Sequence, residues 1–139
     1  MRNLVHYAYL LAFTIISSSC GGGGGGSTPP SDTTPPTVSV AYPPSGSSDV
    51  VVTSAVRVTF SEAMDGSTLD GSSFTLEETV GGVAVTATVS YDSASFVATL
   101  SPDSDLSSGT QYTAIITTAV TDAAGNAIVG NYGWNFTTA

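Results

Sequence analysis

The run VAVTATVSY, residues 83–91, decides how this chain folds. Val83, Val85, Ala87, Val89 and Tyr91 fall on one side of an extended backbone, and Ala84, Thr86, Thr88 and Ser90 on the other. A period of two in β-branched and aromatic residues specifies a strand that is dry on one face and wet on the other. The same alternation recurs on both sides of it. In AVRVTF, Val56, Val58 and Phe60 point inward while Arg57 and Thr59 point outward; in FVATL, Phe96, Ala98 and Leu100 point inward. QYTAIIT adds Tyr112, Ala114 and Ile116, and GWNFTT adds Trp134 and Phe136. With TVSVA at 37–41 and SFTLE at 73–77 there are about seven strands, expected to pair antiparallel. Gly81 and Gly82 supply a tight hairpin between the third and fourth. GSTLDG makes one short helical turn that drops Leu69 into the core. Short strands at regular spacing, with turn residues between them, imply an all-β sandwich.

Composition agrees and narrows the function. A chain of 139 residues, 41% hydrophobic and 9% charged, is long enough for one compact domain. It has 11 acidic residues against two basic ones, Arg2 and Arg57, and no lysine, for a net charge of -9. Nucleic acid is excluded as a partner, because phosphate binding requires a Lys/Arg patch.

The amino terminus has its own organisation. Residues 1–19 carry a positive charge at Arg2, an apolar run at 4–16, and three small residues, Ser17, Ser18 and Ser19. The layout is that of a secretory signal peptide, since the apolar run falls short of the roughly 20 residues that span a bilayer. The only cysteine, Cys20, follows directly. Small residues before a cysteine at the end of a signal resemble the lipobox of bacterial lipoproteins, with Ser17 where that family usually has leucine. The resemblance implies cleavage between Ser19 and Cys20, diacylglyceryl and palmitate groups on Cys20, and a membrane anchor. The other reading of a lone exported cysteine is a free thiol or an intermolecular disulfide. Residues 20–36 then form a Gly/Ser/Thr/Pro-rich linker, whose 16 residues after the cysteine span about 20–24 Å as a flexible coil. Gly21 after the cysteine, rather than aspartate, points to an outer membrane where two membranes exist. Without Arg2, the processed chain has a net charge of -10 and Arg57 as its one basic side chain.

From Asp32 onward the residues resemble a second family. PPTVSVAYPPSGSSDV, VRVTFSEAMD, LSPDSDLSSGTQYTAII, TDAAGN and FTT follow the order and spacing of the bacterial Ig-like domain of the S-layer SbsA type. The resemblance implies an Ig-like β-sandwich over residues 37–139, used as a non-catalytic building block of cell-surface and secreted proteins. The block occurs once, which gives the expectation of a single-domain lipoprotein. The family motifs have physical roles here. Phe60 ends a core strand and Met64 fills the space beneath the next turn. Leu106 precedes Tyr112, whose hydroxyl is placed to bond back to the backbone as a tyrosine corner. Asp122 can accept backbone N–H groups and Gly125 can take positive φ, a region that Asn126 tolerates. Trp134 and Phe136 belong to the last core strand, and Tyr42 is the ring most expected at the surface.

Candidate chemistry is sparse. After processing, no histidine or lysine remains, so Ser–His, Cys–His and Schiff-base catalysis are unavailable and zinc lacks its usual ligands. A carboxylate pair could support a small hydrolase only across a cleft. Calcium is the sharper candidate cofactor: Asp103 and Asp105 in SPDSDL have D-x-D spacing, and Asp32 sits where linker meets domain. The same acids are also ordinary turn residues. Three readings follow: a non-catalytic envelope module meeting a protein or glycan as a monomer, with a calcium-stabilised adhesion module as its variant; a carboxylate-based envelope hydrolase; and an edge-strand partner of a larger complex.

Overall fold

The computed structural model describes residues 31–139. The signal segment, Cys20 and the glycine run lie outside the described residues. Eight strands form: β1 (Val38–Tyr42), β2 (Ser47–Val50), β3 (Val56–Phe60), β4 (Phe74–Glu78), β5 (Ala87–Asp92), β6 (Val97–Pro102), β7 (Gln111–Ile116) and β8 (Tyr132–Thr138). They build two four-stranded sheets, ordered β1-β3-β6-β5 and β2-β8-β7-β4. This is the sandwich expected from the alternation, with inward residues of both sheets meeting in one core.

The expected count of seven antiparallel strands is corrected by β2, which is short, polar (SSDV) and parallel to β8. No hydrophobic pattern marks it, because backbone bonds hold it: Gly46 N–H donates to the Asn135 carbonyl and Ala139 N–H to the Val50 carbonyl. The chain thus switches sheets between β1 and β2, across Pro43 and Pro44.

The deciding run also behaves differently from a single strand. Residues 83–85 pair with β4, through Glu78 N–H to the Val83 carbonyl and Val85 N–H to the Leu76 carbonyl, both 2.9 Å. The chain then crosses to the other sheet, where Ala87 to Asp92 pair with β6. Period two continues unbroken through the crossing while the partner changes. Val83, expected inward, is exposed, and Val85, Ala87, Val89 and Tyr91 are half-buried, as befits the sheet edge. Gly81 and Gly82 form the hairpin with φ of 94° and 64°. Phe96 packs against the core as expected, half-buried, but from the β5–β6 turn with φ of 58° and not from the strand, since β6 starts at Val97.

The core is built from the expected positions. Val56, Val58, Phe60, Ala98 and Leu100 of one sheet face Phe74, Leu76, Tyr112, Ala114, Ile116, Trp134 and Phe136 of the other, all buried. Each large side chain buried this fully stabilises the fold by about 1.5–3 kcal/mol relative to exposure. Tyr112 stacks on Phe136 at 6.0 Å, and Trp134 lies 6.3 Å from Phe74 with its indole N–H donating to the Pro43 carbonyl at 2.9 Å. Gly66–Thr68 form a 3-10 turn capped by Asp65, whose carboxylate accepts from Ser67 N–H at 2.9 Å. Leu69 then drops into the core.

Candidate functional site

The loops at one end of the sandwich bring acids together. FSEAMD leaves β3, and TDAAGN forms the turn between β7 and β8. Backbone bonds stitch the two: Asp65 N–H donates to the Thr121 carbonyl at 2.9 Å and Ala123 N–H to the Ala63 carbonyl at 3.1 Å. Met64 is buried between them, and its N–H donates to the Tyr91 hydroxyl at 2.8 Å. On the linker side, Pro36 is buried and Thr37 N–H donates to Ser61 Oγ at 3.0 Å. The chain is therefore anchored to the FSEAMD loop at the point where it enters β1.

Asp122 organises this end. Its Oδ1 accepts from the N–H groups of Ala124 and Asn126, each at 2.8 Å, and Oδ2 accepts from Asn126 Nδ2 at 2.7 Å. Burial pushes its carboxyl up, but these donors outweigh it and hold the group below the usual carboxylate range. Gly125 takes φ of 94°, as its place in the turn requires. Asn126 does not take positive φ; its amide instead ties Asp122 to the Asp32 carbonyl, at 3.2 Å.

One oxygen from each of Asp32, Glu62 and Asp122 lies within 4.8 Å of the others. The three range from exposed (Asp32) through half-buried (Glu62) to buried (Asp122). Glu62 is raised above its ordinary value, first by desolvation and then by repulsion from Asp32 and Asp122. All three are hard oxygen donors, the kind calcium takes.

Asp32 is therefore placed with Asp122 and with Glu62, which the sequence reading passed over as part of a packing motif. Asp103 and Asp105 belong to no such group among the described residues. Both are exposed, and Asp103 accepts only a long bond, 3.4 Å, from the Thr88 hydroxyl. The remaining motif residues lie where the fold needs them. Leu106 is buried, and Tyr112 is buried with its hydroxyl accepting from Ser107 N–H at 2.9 Å. Cys20 and Ser19 fall outside the described residues.

The fold has solved relatives. The S-layer protein SbsC, domains 1-6, superposes with a TM-score of 0.58 at 21% identity, covering 76% of this chain and 14% of the SbsC chain. PcoC, a methionine-rich copper resistance protein from Escherichia coli, superposes at 0.63 with 16% identity, covering 75% and 98%. CopC from Methylosinus trichosporium OB3b gives 0.61 at 14% identity, covering 74% and 92%. The chain thus spans only about one-seventh of the S-layer chain, and at these identities the likeness is one of fold. A search of the curated proteins found no match. The bacterial Ig-like domain matches residues 32–138, through the whole sandwich and back to Asp32. The chain belongs to the bacterial Ig-like domain family.

Proposed function

We propose that this protein is a lipid-anchored, non-catalytic Ig-like module of the bacterial cell envelope, with a structural or adhesive role. The observation that carries the reading is the order of parts: a short apolar segment, Cys20 behind small residues, six glycines, then a family domain of this kind. Diacylation of Cys20 gives stable anchoring, which a single chain does not. The linker keeps the sandwich clear of the lipid, in the outer membrane where there are two. The described residues contain no histidine, lysine or cysteine, the partners that Ser–His, Cys–His and Schiff-base catalysis require, and the non-catalytic reading is supported by the match to an Ig-like domain family. The methionine richness of the copper resistance protein PcoC is not shared: the described residues hold one methionine, Met64, and it is buried.

The test is intact mass and membrane fractionation of the wild type beside Cys20→Ser. An acyl mass increment with membrane retention, lost in the variant, supports the anchor. Identical fractionation with no acyl mass overturns it.

The convergence of Asp32, Glu62 and Asp122 favours a second form of the same reading, in which calcium stabilises the module at the linker junction. Melting of the wild type in millimolar calcium against excess chelator decides it. A rise of several degrees that Glu62→Gln removes supports calcium, and an unchanged melting temperature discards it.

A further inference from the structure

The outer face of the β1-β3-β6-β5 sheet carries the one positive side chain of the folded domain. Arg57 points outward from β3 in a domain with 11 carboxylates, and it forms no ion pair among the described residues. Asp92 lines a groove beside it, its Oδ1 accepting from Ala94 N–H at 3.0 Å and its Oδ2 from the Ser95 hydroxyl at 2.6 Å. Both carboxylate oxygens accept bonds within their own turn and neither pairs with the guanidinium, which stands exposed to an external partner.

The surroundings of Arg57 are equally specific. Strand register sets Tyr42, Arg57, Thr99 and Ser90 in one row across all four strands, with Val40, Thr59, Val97 and Asp92 in the next. Three strand spacings make the row about 14 Å long. Tyr42 and Val40 are 48% and 59% exposed, large apolar groups on a face that also carries the hydroxyls of Thr59, Ser90 and Thr99. A shallow groove of about 360 Å³ runs between them and Arg57, lined also by Thr59 and Val97.

We propose that this row binds a carboxylate-bearing polysaccharide of the envelope or its surroundings. An aromatic ring offers a surface for the apolar face of a sugar, hydroxyls match hydroxyls, and a guanidinium pairs bidentately with a uronate carboxylate. Charge complementarity sets the class. A lone cation suits a chain with widely spaced carboxylates, while the surrounding acids repel a densely charged polyanion and an acidic protein face alike. The proposal rests on the envelope reading for where the glycan is met, but the binding itself does not depend on the anchor.

The test uses the full-length chain in detergent, immobilised, with hyaluronate oligosaccharides as the probe, one carboxylate per two sugars. Chitin oligomers of equal length serve as the neutral control and a poly-glutamate peptide as the acidic-protein control. Arg57→Gln and Tyr42→Ala each weaken hyaluronate binding about tenfold, the scale of a charge-assisted bond or a lost ring contact. Arg57→Lys keeps part of the affinity, Gln111→Ala on the other sheet keeps all of it, and added salt weakens the wild type. Melting curves confirm that each variant is folded. The proposal is overturned if the wild type does not bind hyaluronate, if Arg57→Gln binds it equally, or if either control probe binds as well. Failure here with acylated, membrane-bound wild type refutes the glycan face and leaves the envelope reading standing.

Discussion

Tyr112→Phe isolates one interaction that the fold depends on. The ring is buried, stacked on Phe136 at 6.0 Å, and phenylalanine retains that packing. What disappears is the hydroxyl that accepts from Ser107 N–H at 2.9 Å, across the turn that leads into β7. A net hydrogen bond contributes about 0.5–1.5 kcal/mol, and an orphaned buried donor costs about 1–3 kcal/mol. Ser107 is exposed, so water can reach its N–H and the loss belongs near the lower figure, about 1 kcal/mol. For a domain of this size that is a fall in melting temperature of about 4–8 °C. Tyr112→Ala, which also removes the ring, costs about 3–5 kcal/mol. Urea unfolding followed by the fluorescence of Trp134, the chain's one tryptophan, gives both values. If Tyr112→Phe unfolds with the wild type, or falls as far as Tyr112→Ala, the reasoning about this corner is wrong.

The carboxylates give a pH profile with two limbs. Glu62 is raised above 4.5, so the folded chain holds that proton more tightly than the unfolded chain, and stability rises as pH falls from neutral through the folded pKa of Glu62. Asp65, Asp70, Asp92 and Asp122 are lowered below 3.8, so their stabilisation is present above that value and is lost as pH falls through their folded pKa values. Melting temperature therefore peaks at mildly acidic pH, and Glu62→Gln flattens the neutral limb while sparing the acid one; identical profiles for the two proteins would contradict this. Gly125→Ala meets open space at the added Cβ but must hold φ of 94°, so it costs about 1–2 kcal/mol in chemical denaturation. A neutral or stabilising result would mean that the TDAAGN turn has another conformation.

Most of the sandwich was legible because period two survives wherever a strand has one dry face. Val56, Val58, Phe60, Tyr112, Trp134 and Phe136 are buried as their spacing required. The failures occur where backbone bonding replaces side-chain pattern. SSDV has no apolar alternation, and its pairing with β8 is set by the chain's need to change sheets. VAVTATVSY alternates throughout yet serves two sheets, since periodicity records which face is dry and not which strand is the partner. The candidate site was half visible. Asp32 and Asp122 stood out, one at a junction and one in a turn motif. Their meeting with Glu62 depends on the FSEAMD and TDAAGN loops crossing, a contact between residues about 60 positions apart. Asp103 and Asp105, for all their D-x-D spacing, are joined by no third acid among the described residues.

Limited proteolysis of the isolated membrane fraction tests the Ig-like domain and the proposed lipid-anchored linker together. A broad-specificity protease should cut within residues 21–35, where the chain precedes buried Pro36, and release a resistant fragment that runs from there through β8, leaving the acylated stub in the membrane. Release of the intact chain without cleavage would contradict the anchor, and degradation without a resistant fragment would contradict the domain.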